Sequence, residues 1–274
     1  MSLGCDAPGA NLLPLVTTDA AVARLERLLS ETGRAPSETL LAFDADGTLW
    51  SGDVGIDNFE ALLEEGAVLP AAASTLREEA TACGLPLAAD PTAQARILYQ
   101  SYELGAYSED RAFRMMAYVF AGYRAEEVRR FAAEVARATG LRDRLHREVL
   151  PIVAWASRRG VLRYVVSASH AVVVESSIEQ IGLPIDGIFA MAQIEEEGRF
   201  STRIVEPATY GAGKTAALSA GVQGKALLGA FGDSGFDLHL LRAARLAVAV
   251  RPKPELRARA AECGGLVELA PLPG

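Results

Sequence analysis

Two carboxylates, Asp44 and Asp46, stand two residues apart at the end of the apolar run Leu40-Leu41-Ala42-Phe43, and Gly47-Thr48 follows them. Side chains alternate along a strand, so a pair with this spacing projects toward one crevice while Gly47 lets the backbone turn sharply. Oxygen donors of this kind suit a divalent cation. Three further groups of chemically capable residues follow. Val165-Val166-Ser167-Ala168-Ser169 reads as an apolar strand ending in hydroxyls, and Gly211-Ala212-Gly213-Lys214 places a lysine where a helix opens. Phe231-Gly232-Asp233-Ser234-Gly235-Phe236-Asp237 sets two carboxylates four apart after another strand. Singly, each has an ordinary explanation: a solvated turn, a helix cap or a solvated lysine.

In order and spacing the four groups resemble the four motifs of the haloacid dehalogenase superfamily, and the likeness runs from about Leu40 to about Leu256 with no motif residue substituted. The resemblance implies an α/β fold, a doubly wound parallel sheet with an inserted α-helical cap. Most members are phosphatases that form an aspartyl-phosphate, so it also implies Mg²⁺-dependent hydrolysis of a small phosphomonoester. Asp44 would be the nucleophile, a carboxylate able to split one difficult displacement into two. Asp46 would protonate the leaving oxygen and later activate water, and an acid there separates the chain from the superfamily's dehalogenases. Ser167, Ala168 and Lys214 would hold the phosphoryl oxygens, Lys214 also steadying Asp44. Asp44, the main-chain carbonyl of Asp46 and Asp233 would bind Mg²⁺, with Asp237 as a direct, water-mediated or orienting contact. A phosphotransferase or mutase of the same fold, and a phospho-ligand sensor without turnover, are the competing functions.

Two shorter matches resemble the phosphoserine phosphatase branch in particular. Asp53 lies nine residues after Asp44, where that branch carries a Glu that contacts the substrate's amino group, and Lys253-Pro254-Glu255-Leu256 looks like its Lys-Pro-x-Leu segment. Gly47 and Ala168-Ser169 depart from it, since the branch usually has Ser at the first and Gly-Gly at the second. The resemblance thus implies an amine-bearing phosphate of the phosphoserine, phosphocholine or phosphoethanolamine type, with Asp53 near the amine. Asp53 reads equally as the cap of a following helix. Half of the chain's aromatic residues fall between 56 and 146, either as a cage for an ammonium group or as the core of a helical bundle. Arg77, Arg96, Arg111 and Arg114 stand in the same stretch, as holders of a substrate carboxylate or as solvated side chains. His170 either reaches the site or is exposed in the first turn of a helix; His146 and His239 have no metal-ligand spacing.

The elements that must bring these groups together are strands whose carboxyl ends converge, because ligands of open α/β sheets bind there. Strand patterns cover 40–43, 162–167, 187–191, 226–231 and 246–250, alternating with helices over 170–181, 213–220 and 236–243 and a last helix from 252. A turn at 195–199 separates two short extended segments. Between the first and second motifs only helical periodicity appears, over 56–65, 71–83, 91–104, 108–121 and 125–139, with a further helix over 141–159. We therefore expect a core of residues 1–55 and 147–274 and a cap of residues 56–146. Residues 1–17 read as an extended arm. Ala21, Val22, Leu25, Leu28 and Leu29 mark an amphipathic helix over 18–31 that packs on the core or forms a dimer.

Composition narrows the partners. The net charge of −8 disfavours nucleic acid and anionic membranes, which need a basic footprint; a small phosphorylated metabolite needs only local cations and N–H groups. Cys5, Cys83 and Cys263 are odd in number and far apart, so neither a disulfide framework nor a zinc site is indicated. No apolar run approaches the roughly 18 residues of a membrane helix, and no basic residue precedes Arg24, which speaks against a signal peptide. A reducing cytoplasm is the expected location, or the periplasm if a leader has been removed. The oligomeric state is left open.

Overall fold

The computed structural model describes residues 13–272; residues 1–12 of the expected arm, Cys5 among them, lie outside that range. Regular structure starts with β1 (Leu15–Val16) and α1 (Thr18–Thr32). Thr17 caps α1, its side chain accepting from Ala20 N, and Gly33 closes it in the left-handed region. The helix packs on the core through Ala21, Leu25 and Leu29, all buried.

In β2 (Thr39–Phe43) every residue is buried. Leu41 and Phe43 belong to one core and Leu40 and Ala42 to another, as the two-residue period requires of a strand covered on both faces. Five helices follow: α2 (Val54–Glu64), α3 (Ala73–Ala82), α4 (Pro91–Glu103), α5 (Glu109–Tyr118) and α6 (Ala125–Ala138). The remaining elements are α7 (Leu150–Arg159), β3 (Leu162–His170), α8 (Ala171–Ile181), β4 (Gly187–Met191), β5 (Gln193–Glu196) and β6 (Arg199–Ile204). Then come α9 (Ala212–Gly221), β7 (Ala226–Gly232), α10 (Leu238–Ala243), β8 (Leu246–Val250), α11 (Pro254–Ala258) and β9 (Val267–Leu269).

Seven strands form one sheet in the order β1-β9-β8-β7-β2-β3-β4, every pairing parallel; β5 and β6 make a separate antiparallel hairpin. Leu218 of α9, Leu238 and Leu241 of α10 and Leu256 of α11 cover the face that carries Leu40, Ala42 and Ala230. The other face is covered by α1, α7 and α8, whose buried Leu25, Ile152 and Val173 share a core with Phe43, Phe231 and Val248. Within the helical stretch α6 packs on α8, and α5 on β3 and β6.

Three expectations need correction. The helix read over 141–159 is two pieces, a 3₁₀ turn at Leu141–Arg144 and α7. Pro151 explains the break, since proline fits the first turn of a helix and not its interior. Leu145 between them pairs antiparallel with Trp50, and His146 N donates to Leu49 O at 2.9 Å. Second, β3 continues three residues past Ser167, so His170 ends a strand and is buried, its ring bonded to Gln193 Oε1 at 3.0 Å. Third, the end of the expected arm is β1, a sheet strand paired with β9; neither is long enough to show a period.

Candidate active site

Asp44 follows β2 directly, and its N–H donates to Phe231 O at 2.9 Å, so it is still in register with β7. The chain then turns: Thr48 N and Leu49 N both donate to Ala45 O, and Gly47 N donates to Trp50 O at 2.8 Å. Gly47 has φ +82°, and a Cβ there would lie 2.1 Å from Asp233 Oδ2. Only glycine lets this turn approach the acid at the end of β7 so closely. Asp237 closes the 3₁₀ turn Gly235–Asp237 behind Asp233, and Lys214 lies in the first turn of α9.

These side chains converge. Lys214 Nζ lies 2.5 Å from Asp44 Oδ1 and 2.7 Å from Asp237 Oδ1, with all three residues buried. The second oxygen of Asp44 accepts from Thr48 Oγ1 at 3.1 Å. Asp237 Oδ2 accepts from Asp233 N, Ser234 N and Ser234 Oγ, each at 3.1 Å. Asp46 is held on both sides. Its Oδ1 accepts from Trp50 Nε1 at 2.9 Å and Val54 N at 2.7 Å, and its Oδ2 from Ser169 Oγ at 2.7 Å and Ser167 Oγ at 3.4 Å. Asp44, Asp46, Ser167, Ala168, Lys214 and Asp233 all line one cleft of about 190 Å³, which Asp53, Ser169 and Lys253 also enter.

The family model for haloacid dehalogenase-like hydrolases matches residues 41–242, which span this whole arrangement. The chain belongs to that family. Among curated proteins no sequence match is found. Solved structures show what this dehalogenase-like hydrolase is similar to. A protein of unknown function from Bordetella pertussis Tohama I aligns over 85% of this chain and 98% of its own, with TM-score 0.66 and 22% identity. A substrate-bound phosphoserine phosphatase aligns over 84% and 92%, with TM-score 0.50 and 17% identity. A cytosolic 5'-nucleotidase IIIB bound to cytidine aligns over 90% and 85%, with TM-score 0.51 and 14% identity. At these identities the likeness is one of fold.

The electrostatics of the hydrolase's site are set by burial among carboxylates. Desolvation, reinforced by Asp237, pushes the Asp44 carboxyl well above the usual range, while Lys214 opposes the shift. Asp233 is raised to about 6, first by burial and then by Asp237, against the pull of Lys253 and Lys214. Burial alone would lower Lys214, but Asp237 and Asp44 outweigh it and hold its ammonium charged. Carboxylate oxygens of Asp44, Asp233 and Asp237 lie within 4.8 Å of one another. This hard-oxygen set of excess negative charge fits a divalent cation. Asp44 and Asp233, with the carbonyl of Asp46, would hold it; Asp237 lies in the same group and also bonds Lys214 and the Asp233 backbone, so it is either a further ligand or an orienting partner.

Asp53 caps α2, accepting from Ile56 N at 2.9 Å, and it also lines the cleft. Its pKa is raised to about 8, mainly by desolvation and then by Asp46. The arginines read as carboxylate holders are elsewhere: Arg111 pairs with Glu79, Arg114 with Glu206, and Arg77 and Arg96 bond the carbonyls of Ala73 and Leu63. Of the aromatic residues of 56–146, Phe59, Tyr107, Tyr118 and Phe120 are core, and only Phe113 lines the cleft. Tyr210 and Phe236, outside that stretch, also line it. Sequence reading gave no role to Ser169, Thr48 or Lys253, though Lys253 opens a segment that resembles a family motif. Its Nζ lies 2.9 Å from Asp233 Oδ2, and its N–H donates to Asp233 O at 2.8 Å.

Among the described residues no helix is long and apolar enough to cross a membrane.

Proposed function

We propose that this hydrolase is a Mg²⁺-dependent phosphomonoesterase that works through an aspartyl-phosphate on Asp44, acting on a small, amine-bearing metabolite. The observation that carries the reading is Lys214 buried between Asp44 and Asp237, opposite an Asp46 clamped by four donors. Lys214 and Thr48 each take one oxygen of Asp44, which fixes its rotamer and spares the reaction the entropy of orienting it. An Asp44 oxygen attacks phosphorus as the bond to the leaving oxygen breaks, and Asp46, in its protonated form with the Ser167 and Ser169 hydroxyls turned from donating to Oδ2, passes its proton to that oxygen. Asp46 then takes a proton from water, whose oxygen attacks phosphorus and frees Asp44. Lys214, Ser167 and the backbone at Ala168 stabilise the phosphoryl oxygens. Mg²⁺ held by Asp44, Asp233 and the Asp46 carbonyl would neutralise the non-bridging oxygens.

Residues 56–146 act in this reading as a cap over the core of residues 1–55 and 147–274, α5 contributing Glu109 and Phe113 to the cleft. Asp53, at the N-terminus of α2, would face an amine on the leaving group.

The test is phosphate release from p-nitrophenyl phosphate by wild type and Asp44→Asn, with Mg²⁺ or with EDTA. Release that needs Mg²⁺ and disappears in Asp44→Asn is expected. Release that survives the substitution, or none from this ester or any ammonium ester by a folded, Mg²⁺-loaded protein, would remove the reading.

A further inference from the structure

Besides Asp44, Lys214 and Asp233, the cleft is lined by Asp53 before α2, Glu109 at the start of α5 and Glu255 in α11, and by Phe113, Tyr210 and Phe236. The three rings are half-buried and form a continuous run, with centroids 5.7 Å apart from Phe113 to Tyr210 and 4.8 Å from Tyr210 to Phe236. Acid groups and ring faces lining one cleft make a wall complementary to an organic cation, because the face of an aromatic ring is its negative side.

The cations of the cleft are as informative. Among the described residues its lining holds only Lys214 and Lys253. Lys214 lies at the proposed phosphate site between Asp44 and Asp237, and Lys253 pairs with Asp233 while also acting on Asp53 and Glu109. Among the described residues no arginine lines it; of the ten arginines between residues 56 and 146, Arg111 and Arg114 pair with Glu79 and Glu206, and Arg77 and Arg96 bond main-chain carbonyls. A carboxylate on the leaving group would meet the like charges of Glu109 and Glu255, while Asp53, held largely protonated near neutral pH by its burial, adds little repulsion.

We propose, on the phosphomonoesterase reading above, that this wall makes the enzyme select phosphate esters of short ammonium alcohols and reject amino-acid phosphates. Glu109 and Tyr210 are its specificity residues, acting beside Asp53. The alcohol carries a primary or quaternary ammonium and no carboxylate. Selectivity comes as much from the repulsive element as from the attractive one.

Steady-state kinetics on p-nitrophenyl phosphate, phosphocholine, phosphoethanolamine, glycerol phosphate and phosphoserine test this, with wild type, Glu109→Gln, Tyr210→Leu and Glu109→Arg. For the better ammonium ester, wild-type kcat/KM should exceed that for glycerol phosphate by about tenfold and that for phosphoserine by about a hundredfold, the scale of one or two charge contacts. Glu109→Gln and Tyr210→Leu should each shrink the ratio of ammonium ester to glycerol phosphate, and Glu109→Arg should raise phosphoserine relative to phosphoethanolamine. Each ratio is internal to one protein, so a loss of stability alone does not move it. Turnover of phosphoserine equal to that of phosphoethanolamine overturns the proposal, as do ratios indifferent to Glu109 and Tyr210. Release from p-nitrophenyl phosphate without ammonium preference overturns this proposal alone, whereas no release from any ester removes the phosphatase reading and the proposal together.

Discussion

His170 shows at the scale of one residue how the site's surroundings are tuned. Its ring lies between Phe120 and Phe200, with centroids at 5.0 and 5.1 Å, and Nδ1 has no hydrogen-bond partner. Burial lowers its pKa to about 4, against a small opposing contribution from Gln193. The unfolded chain therefore binds a proton near pH 6.5 that the folded chain refuses until about pH 4, so this group costs stability as pH falls through that window. Asp44, Asp53 and Asp233 are shifted upward and favour the folded state as pH falls, so the histidine must be isolated by difference. Relative to His170→Asn, the wild type should lose up to about 1.4 kcal/mol per pH unit between pH 6 and 4, measured by chemical denaturation; a flat difference would show that the ring is not held neutral. The principal acids and Lys214 were legible from residue type and order. The clamp on Asp46 was not: Trp50 and Val54 reach it locally, but Ser167 and Ser169 come from more than a hundred residues away, and no periodicity reports that meeting.

At the scale of an element, the start of α9 decides whether Lys214 reaches Asp44. Gly213 precedes the lysine, and a Cβ on it would lie 1.8 Å from Ala208 O, a main-chain atom with little freedom to give way. Gly213→Ala should therefore push the helix start away from the strand ends. We expect a stability loss of about 1–3 kcal/mol from overpacking and a fall in kcat larger than the thermal shift explains, checked by calorimetry beside kinetics. A variant with unaltered melting and kcat would show that α9 tolerates the shift. β2, β7 and β8 were readable because they are largely buried and their apolar runs are unbroken. β1 and β9 were not, since two or three residues carry no period. The break before α7 had its signal in Pro151, which outweighed an apolar pattern running through it.

For the molecule as a whole, Glu148 joins parts of the chain that are remote in sequence. Its carboxylate is fully buried and accepts from Arg251 Nε at 2.7 Å and Leu272 N at 3.4 Å, while its main-chain oxygen accepts from Thr18 Oγ1 at 3.0 Å. Burial alone would raise its pKa, but the bond to Arg251 lowers it, so its contribution is present above the usual glutamate range and is lost in acid. Glu148→Ala should cost about 2 kcal/mol near neutral pH, or a melting shift of roughly 4–8 °C for a chain of this size. An unchanged melting curve would show that the tie carries no weight. The parallel α/β class was legible from alternating strand and helix patterns, but the strand order was not, nor was the packing of α6 on α8. Both depend on which surfaces meet rather than on any local rule.

That order has a kinetic consequence. Asp44 and Lys214 are 170 residues apart, and the other groups come from β3 and β7 on either side of β2. Helices α3, α4 and α5 can begin to pack through contacts between sequence neighbours, whereas the reacting groups meet only after the most distant loops have closed. Turnover is thus among the last properties a newly made chain acquires. It would serve as a clock for complete folding, silent in any intermediate whose helical middle alone is ordered.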